Sequence, residues 1–424
     1  MERLLIKEIC HHENEKALIK GRIFNIRKLG NIVFLVVRDY TGVVQVVVSK
    51  DIEVNSGDSI AVEGTIKKDE RAKGGYEIKG ERVEIIAKNI EDLPFDLEKE
   101  DLNLNLNTLL DHRTISLRHP KVQAIFRLYD ILLKSYANAM RGEDFIEIKT
   151  PKILGSASEG GANFFKVDYF EKEAVLAQSP QFYKQIMVGV FERVFEVGSV
   201  FRAEPHFTTR HVNEYISLDA EMGYINDFYD ITKTLNRVIK KIFKEINEEG
   251  KEYLDLYNII IPEVPDEIPC IKLSEIKEII KRKYNYEIPE NTDIDPKGED
   301  FAGQYAKEEF NSDFIFLTHY PFEYRPFYTK PLDGETAGFD LLYKGLEIAT
   351  GGQRINDYNE LIENMKRKKT SSKGMEFYVD VFKHAMPPHG GWGMGSERII
   401  KQLLGLESIK EAVLFPRDVK RLIP

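Results

Sequence analysis

The chain has 424 residues, of which 42% are hydrophobic and 31% charged, and its formal net charge at pH 7 is −10. These values are typical of a globular protein of two or three domains; no apolar run is long enough to cross a membrane, and the acidic balance argues against a protein that coats nucleic acid. The two cysteines, Cys10 and Cys270, have no metal-ligand spacing, so we expect a protein of the reduced cytoplasm without a disulfide framework.

The first 90 residues are predicted to form a separate domain of five strands. They carry 16 Lys and Arg against 14 Asp and Glu, so this segment is less acidic than the rest. Alternating apolar residues mark the strands KALIKGRIFNIR, NIVFLVVRD, GVVQVVVS, DSIAVEGTIKK and GYEIKGERVEIIAK. Five short strands predict a small Greek-key barrel, the OB-fold, which binds single-stranded nucleic acid by stacking bases on aromatic side chains in a basic groove.

Candidate nucleic-acid contacts of this barrel lie on its second and third strands. Phe34 and Arg38 are four residues apart on one strand and therefore share a face, and Gln45 lies on the next strand. The spacing alone leaves two roles open for Phe34, which can belong to the barrel core or can present its ring to a base.

A polar connection at residues 91–117 is predicted to be a hinge that leads into a second domain. Apolar residues from Val122 through Tyr136 recur at helical spacing, and the strand FIEIKTP follows Gly142 and ends at Pro151. These residues alone favour packing of the apolar helix face inside the domain.

Two loops, SASEGGANFF and LAQSPQFYKQ, contain residues suited to a small amino-acid pocket. The glycines after Glu159 allow close approach to the backbone, and the glutamate can accept hydrogen bonds from an ammonium group. Gln181 and Lys184 are three residues apart and share a face if a helix begins there. The alternative for Lys184 is an ordinary surface lysine.

The stretch from Phe201 to Ile225 combines arginines, a histidine and carboxylates in a predicted antiparallel hairpin. Alternation in VFEVGSVFRAE and NEYISLDAEMGYI predicts its two strands. Arg202, near the end of the first strand, can bind a phosphate with its planar guanidinium, and Arg210 and His211 follow in the loop. The alternative is a hairpin with solvated surface charges. The next residues, 226–320, are predicted to form a helical elaboration whose alternating charges indicate solvated faces.

Two segments near the C-terminus supply the remaining candidates. In KGLEIATGGQR, Glu347 lies on a predicted strand and Arg354 follows it, where a buried arginine requires an anionic partner such as a carboxylate. In HGGWGMGSERIIKQLLG, glycines alternate along a strand, so that a ligand can lie close to the backbone, and a helix begins at about Ser396. Arg398 lies in the first turn, where the helix dipole disfavours a cation, and this indicates an external anion.

The hairpin and the last strand and helix together resemble motifs 2 and 3 of the class II aminoacyl-tRNA synthetases, closest to the aspartyl and asparaginyl branch of subclass IIb. The helix with FIEIKTP resembles motif 1, which forms a homodimer interface in this class. The closing run, EAVLFPRDVKRLIP, also resembles the usual C-terminus of the family, so we expect the chain to end there. The resemblance implies an α+β protein with an OB-fold at 1–90, a hinge at 91–117 and a catalytic domain at 118–424, whose antiparallel sheet is flanked by helices and by the elaboration at about 226–320.

The resemblance also implies an ATP site with Mg²⁺. Arg202 is expected to hold the α-phosphate, Tyr215 to stack on adenine, and the other cations to bind the outer phosphates. Glu347 and Thr350 are expected to bind Mg²⁺ with ATP, which is ordinary chemistry for a hard cation. Arg202, Arg398 and Glu347 are the implied catalytic residues. The full implied ATP site comprises Arg202, Glu204, Arg210, His211, Tyr215, Glu347, Gly395 and Arg398.

For the amino acid, the QSP and TGGQR sequences resemble the aspartyl type more than the asparaginyl type, which implies L-aspartate as substrate. Asp219 and Glu159 are expected to bind its ammonium group, and Arg354 its side-chain carboxylate. The full implied pocket comprises Glu159, Gln181, Lys184, Asp219, Thr350 and Arg354. In the barrel, the residues implied to contact the anticodon are Phe34, Arg38, Gln45 and Glu77.

The expected activity is therefore ATP-dependent charging of tRNA(Asp) with aspartate by a cytoplasmic homodimer without membrane attachment. Three alternatives stay open on the sequence. The enzyme can also place aspartate on tRNA(Asn), it can be an asparaginyl enzyme, or it can be a related protein that binds tRNA without charging it. The residues Arg202, Glu347, Arg354 and Arg398 favour an active enzyme over a binding protein.

Overall fold

The computed structural model describes residues 1–72, 74–156, 163–205, 208–290 and 292–424. The chain divides into two compact units, residues 1–119 and residues 120–424. None of the helices in these ranges has both the length and the hydrophobicity that crossing a lipid bilayer requires.

The first unit contains a closed barrel of five strands, as the alternation predicts. Strand β1 pairs with both β2 and β4, β2 pairs with β3, and β3 runs parallel to β5, so the barrel order is β1-β2-β3-β5-β4. Every second residue points inward, so Val33, Leu35 and Val37 are at most 1% exposed. The elements of this unit are β1 (Lys16–Leu29), β2 (Ile32–Arg38), β3 (Val43–Ser49), β4 (Ser59–Lys68), β5 (Tyr76–Ala87), α1 (Leu106–Asp111) and α2 (Arg113–Ser116), with a 3-10 turn at Ile6–His11.

The second unit mixes helices with mostly antiparallel strands. Its strands are β6 (Ile146–Glu147), β7 (Ile153–Leu154), β8 (Lys166–Tyr169), β9 (Lys172–Leu176), β10 (Arg193–Phe201), β11 (Glu214–Gly223), β12 (Cys270–Lys272), β13 (Phe314–Thr318), β14 (Pro331–Leu332), β15 (Glu335–Thr336), β16 (Gly338–Tyr343), β17 (Leu346–Gln353) and β18 (His389–Gly395). Its helices are α3 (Pro120–Gly142), α4 (Gln181–Phe191), α5 (Phe228–Glu249), α6 (Lys251–Asp255), α7 (Leu273–Tyr284), α8 (Pro296–Phe310), α9 (Tyr358–Arg367), α10 (Glu376–Val381) and α11 (Ser396–Leu404), with 3-10 turns at Phe322–Tyr324, Phe382–His384 and Ile409–Ala412.

A central sheet organises this unit. In the described chain its strand order is β12-β13-β16-β17-β18-β11-β10-β6. The predicted hairpin is present as β10 and β11, and β18 lies between β11 and β17. The two segments that the sequence pointed to, near residues 201–225 and 344–398, are therefore neighbours in one sheet.

Helices α3, α5 and α11 pack against this sheet and enclose its main core. Helix α3 includes the predicted span and buries Leu128 and Leu132 completely. Of the predicted strand FIEIKTP, only Ile146–Glu147 pairs, in parallel with β10. The apolar face of α3 is therefore used inside the unit, as its residues alone favoured.

Residues 226–320 were predicted to be a helical elaboration, but they also supply strands to the central sheet. Helix α5 buries Ile239 and Phe243 in the main core, and β12 and β13 are strands of the central sheet. Helices α7 and α8 form a second small core against β13. The sequence pattern did not predict the strand FIFLT (β13). This strand is buried on both faces, so polar and apolar residues do not alternate along it.

Candidate active site

A cavity of about 310 Å³ is lined by residues of α4, β11, β17, β18 and the start of α11. It brings together predicted residues from four separate motifs. Glu159 lies outside the described residues, and so do His206 and Phe207 of the hairpin loop. The predicted residues that line the cavity are Gln181, Lys184, Arg202, Glu204, Arg210, His211, Tyr215, Asp219, Glu347, Thr350, Arg354, Gly395 and Arg398.

Lys184 lies in the first turns of α4 and its side chain is only 2% exposed. Its Nζ donates to Oδ1 of Asp219 at 2.9 Å and to the carbonyl oxygen of Trp392 at 2.8 Å, and it lies 3.5 Å from Oε2 of Glu221. The hydroxyl of Ser217 donates to the other oxygen of Asp219 at 2.5 Å. Buried charges persist when each has an opposite charge and hydrogen bonds. The surface alternative for Lys184 is therefore wrong.

Arg354 follows β17 directly and is 5% exposed. Its Nε donates to Oε1 of Glu221 at 2.8 Å, and its Nη2 donates to Oε2 of Glu221 at 3.3 Å and to the carbonyl oxygen of Gly391 at 3.1 Å. The anionic partner that a buried arginine requires is therefore present within the protein as Glu221, and the binding of a substrate carboxylate by Arg354 stays a prediction. Two parallel donations to one carboxylate hold the guanidinium in a fixed orientation at the cavity wall.

Glu221 is a site residue that the motifs did not reveal. It lies two residues after Asp219 on β11, so strand alternation places both side chains on one face and could have identified it. Burial works to raise the pKa of Glu221, but Arg354 and Lys184 outweigh burial and hold this pKa below its ordinary value. Gly391 makes room for the carboxylate, because a Cβ there would lie 2.4 Å from Oε2 of Glu221. The absence of a side chain at Gly391 therefore allows the Glu221 carboxylate to fit within the protein.

The base of the hairpin loop holds Arg202 beside Tyr215. The amide of Arg202 donates to the carbonyl oxygen of Asn213 at 2.9 Å, and Nδ2 of Asn213 donates back to the carbonyl oxygen of Arg202 at 2.6 Å. The guanidinium carbon lies 5.7 Å from the centroid of the Tyr215 ring, within cation–π range. Across the loop, Nε2 of His211 lies 3.6 Å from Oε2 of Glu204. The hairpin therefore presents a cation and an aromatic ring together at the cavity.

Arg210 and Arg398 both have carboxylate partners within the protein. Arg210 pairs with Glu299 of α8, and Nη1 of Arg398 donates to the carbonyl oxygen of Glu347 at 2.8 Å and lies 3.4 Å from its Oε1. Glu347 is thus an internal anion beside Arg398, and the external anion inferred from its helix position stays a prediction. Burial raises the pKa of Glu299 to about 7, although Arg210 works to lower it. No sequence pattern marked Glu299.

Arg325 is a second residue that the motifs did not reveal. Its Nη2 lies 2.8 Å from Oδ2 of Asp340, its Nη1 donates to the hydroxyl oxygen of Thr350 at 2.7 Å, and its guanidinium carbon lies 3.6 Å from the centroid of the Tyr320 ring. Asp340 and Thr350 face each other across β16 and β17. The predicted magnesium ligand Thr350 thus accepts a hydrogen bond from a fixed cation. Arg325 lies in a loop without periodicity, so nothing local could have identified it.

The candidate anticodon residues share the outer face of the barrel. Phe34 is half-buried between the fully buried Val33 and Leu35, so of its two open roles the core is excluded. Nε2 of Gln45 donates to Oε2 of Glu77 at 3.1 Å, and these two residues are paired across β3 and β5. Arg38 lies on the same side of β2 as Phe34, with its guanidinium carbon 5.9 Å from the centroid of the Phe24 ring.

The fold and the cavity define a class II aminoacyl-tRNA synthetase. Residues 105–419 match the family described as tRNA synthetases class II (D, K and N), and residues 17–93 match the OB-fold nucleic acid binding domain, so the chain belongs to the class II synthetase family. Synthetases of this family are ligases that use ATP.

Several similar proteins show which members of that family this chain resembles. The chain is 42% identical to the aspartate–tRNA(Asp/Asn) ligase of Deinococcus radiodurans, covering 100% of this chain and 99% of that one. It is 39% identical to the aspartate–tRNA(Asp) ligase of Thermococcus kodakarensis, covering 97% and 96%. The structure is similar to asparaginyl-tRNA synthetase of Pyrococcus horikoshii complexed with asparaginyl-adenylate, with a TM-score of 0.92, 28% identity and full coverage of both chains.

Proposed function

We propose that this chain activates L-aspartate with ATP and transfers it to the 3′ end of tRNA(Asp). The observation that carries this proposal is the pair of buried cations, Arg354 and Lys184, which Glu221 fixes at the wall of the cavity. Two cations in fixed positions favour a substrate with a side-chain carboxylate over one with a neutral amide. The names of both relatives at about 40% identity support aspartate.

In the proposed first step, the α-carboxylate oxygen of aspartate attacks the α-phosphorus of ATP in line, and pyrophosphate leaves. No protein nucleophile is needed, because positioning and neutralisation of negative charge lower the barrier. Arg202 is suited to the α-phosphate, Tyr215 to the adenine ring, and Arg210, His211 and Arg398 to the outer phosphates. In the second step, the 3′-hydroxyl of the terminal adenosine attacks the carbonyl carbon of the adenylate, and AMP leaves.

The ammonium group and the metal have candidate partners in the same cavity. Asp219 is suited to the substrate ammonium, while Gln181, 3% exposed, closes the pocket beside Lys184. Glu347 is a suitable Mg²⁺ ligand, since its side chain is 31% exposed and Mg²⁺ in nucleotide sites usually takes one or two carboxylates beside the phosphates. When bound, Mg²⁺ neutralises phosphate charge. Thr350 fits less well than predicted, because its hydroxyl already accepts a hydrogen bond from Arg325.

For tRNA selection, we propose that Phe34 stacks on an anticodon base and that Gln45, Glu77 and Arg38 bind base edges or the backbone. The partly exposed ring of Phe34 supports this assignment, since stacking on aromatic side chains is the usual OB-fold contact. Arg38 can neutralise a neighbouring phosphate.

A cytoplasmic homodimer is also part of the proposal. Beyond the resemblance of α3 to motif 1, apolar side chains of the β6–β9 region are exposed, with Ile146 at 47%, Ile153 at 49% and Phe170 at 92%. Exposed apolar side chains of this size favour a protein contact. Sedimentation at micromolar concentration tests this, and a monomer contradicts it.

Charging of tRNA(Asn) with aspartate is a second candidate function. The specific observation in its favour is that the relatives at 42% identity from Deinococcus radiodurans and Aeropyrum pernix are both named aspartate–tRNA(Asp/Asn) ligases. Discrimination depends on a few contacts of the barrel with the anticodon.

One experiment tests both candidates. The purified protein is incubated with radiolabelled aspartate, ATP and separate tRNA(Asp) and tRNA(Asn) transcripts. Charging of tRNA(Asp) alone supports the first proposal, and charging of both supports the second. If aspartate is transferred to neither transcript but asparagine is transferred to tRNA(Asn), the aspartate proposal is wrong.

A further inference from the structure

Two helices of the second unit end in similar runs of basic residues. Helix α7 ends in Lys281-Arg282-Lys283, and α9 leads into the segment 366–373, which has the sequence KRKKTSSK and contains five Lys or Arg and no acid. Cations are favourable at both positions, because the C-terminus of a helix carries partial negative charge. The two runs can therefore be compared directly.

The run on α7 is neutralised by nearby acids. Nζ of Lys281 lies 2.7 Å from Oε1 of Glu287, and Nζ of Lys283 lies 2.8 Å from Oε2 of Glu308 and 2.6 Å from Oε1 of Glu309. Two of its three cations thus have carboxylate partners. This is the arrangement expected of a solvated surface in an acidic protein.

The run on α9, which we call the basic rim (Lys366, Arg367, Lys369 and Lys373), is not neutralised in this way. Lys366 is 71% exposed and forms a long ion pair with Glu363, at 3.9 Å. The other three are exposed, and no carboxylate in the described part of the chain forms an ion pair with them. Three exposed cations without a carboxylate partner among the described residues stand out on a chain with a net charge of −10, and they create a local positive potential.

The end of α9, where the rim begins, is anchored on Phe322. The guanidinium carbon of Arg367 lies 4.1 Å from the centroid of the Phe322 ring, and Nζ of Lys368 lies 4.2 Å from the same centroid and donates to the carbonyl oxygen of Phe322. Phe322 begins the 3-10 turn Phe322–Tyr324, and Tyr324 and the following Arg325 line the cavity. The end of α9, from which the basic rim extends, is therefore in contact with the segment that supplies part of the cavity wall.

We propose that the basic rim binds the phosphate backbone of the tRNA acceptor arm while the 3′ end enters the cavity. This inference rests on the proposed function, because that function requires the 3′ end of a polyanion at this cavity. Charge complementarity selects the partner, since lysine and arginine side chains bind phosphates irrespective of base sequence. The rim therefore contributes affinity for tRNA and does not discriminate between tRNA(Asp) and tRNA(Asn).

The test compares two variants of the full chain. The rim variant carries Lys366→Ala, Arg367→Ala, Lys369→Ala and Lys373→Ala, and leaves Lys368 on Phe322. The control variant carries Lys281→Ala, Arg282→Ala and Lys283→Ala, which removes three cations, against four in the rim variant, from a run whose exposed ion pairs contribute little to stability. Each protein is measured for binding of a fluorescent tRNA(Asp) transcript at several salt concentrations, and for aspartate-dependent ATP–pyrophosphate exchange, which needs no tRNA.

We expect the rim variant to bind the transcript at least roughly tenfold more weakly, with a salt dependence of affinity that is less steep by about one for each phosphate that the rim no longer binds. Exchange is expected to stay within about twofold of the wild type, and the control variant to match the wild type in both assays. Unchanged binding and salt dependence in the rim variant overturn the proposal, and so does equal weakening in the control. If the rim variant loses exchange through misfolding, the single variants Lys369→Ala and Lys373→Ala decide the question in the same binding assay. Absence of exchange in the wild type overturns the proposed function instead, and the binding assay still reports on the rim.

Discussion

The outer face of the barrel and the wall of the cavity are both polar, but they are built in different ways. On the barrel, Phe34, Gln45 and Glu77 lie on strands of one small sheet and are partly exposed. At the cavity wall, Arg354 is paired with Glu221, which lies 133 residues earlier in the chain, and both side chains are nearly inaccessible to water. A side chain of the barrel face can be removed with little effect on the fold, whereas a side chain of the cavity supports both the fold and the site.

The cavity also shows that arginines identified from sequence motifs can have anionic partners within the protein. Arg210, Arg354 and Arg398 were each assigned to a ligand anion, and each has a carboxylate partner within the protein. An internal partner offsets the cost of removing a cation from water and fixes its orientation. A bound anion at these positions therefore meets groups that are already oriented, which is the preorganisation that electrostatic catalysis requires.

The largest expected effect comes from Arg354→Ala. This change removes a cation from the cavity and leaves Glu221 with Lys184 as its remaining cationic neighbour, and breaking a buried pair costs about 3–5 kcal/mol. Separately, we expect aspartate-dependent ATP–pyrophosphate exchange to fall by about 10²-fold or more, because loss of a hydrogen-bonded charge partner of the substrate costs about 2–5 kcal/mol. Thermal unfolding is measured in parallel, since the melting temperature should also fall.

A double variant separates the loss of exchange in Arg354→Ala from its loss of stability. In Arg354→Met with Glu221→Met both charges of the pair are absent, so most of the lost stability should return while exchange stays low. Normal exchange in Arg354→Ala would remove this residue from the aspartate pocket.

The next largest expected effect is that of Glu299→Gln on the pH dependence of the free energy of unfolding. The carboxyl of Glu299 has a pKa of about 7 in the folded chain against an ordinary value of 4.5, so the folded state binds the proton more tightly. The contribution of this group to stability is full below pH 4.5 and is lost as the pH rises through 7, by an amount on the order of 3 kcal/mol. In Glu299→Gln that loss is absent, so the variant should gain stability relative to the wild type as the pH rises.

Denaturation followed by tryptophan fluorescence measures this difference, because the single tryptophan, Trp392, is fully buried in the second unit. Glu308→Gln on the same helix is the control, since Glu308 is exposed and should not produce the trend. Parallel stability curves for Glu299→Gln and the wild type between pH 4.5 and 8 would refute the assignment.

The contrast between the barrel face and the cavity wall also explains which features could be predicted from the sequence. Period-two alternation placed Phe34 and Arg38 on one face of a barrel, and the hairpin of β10 and β11 followed from the same signal. The cavity residues with recognisable neighbours, such as Arg202 and Arg398, could be found from motifs. Glu299 and Arg325 could not, because they contact Arg210 and Thr350 through tertiary packing of segments without any local pattern.

On the barrel, Phe34→Ala should produce a smaller and more selective effect. Stacking on one base contributes about 1–3 kcal/mol, so we expect tRNA charging to weaken by roughly five- to 150-fold in kcat/KM for tRNA. Pyrophosphate exchange should remain nearly unchanged, since it takes place in the other unit. Leu35→Ala, at the next position but inside the barrel, is the matched control and should lower thermal stability. An equal loss in charging and exchange for Phe34→Ala would indicate damage to the fold.

The smallest expected effect is that of Gln45→Leu. Its amide already donates one hydrogen bond to Glu77, so only its remaining polar groups are available to a base edge. Loss of one such hydrogen bond costs about 1 kcal/mol, which corresponds to roughly a fivefold rise in KM for tRNA with kcat unchanged. Glu77 remains partly exposed to water, so its unpaired carboxylate should not destabilise the barrel. A change in kcat for aspartate activation would contradict the separation between barrel face and cavity on which this prediction depends.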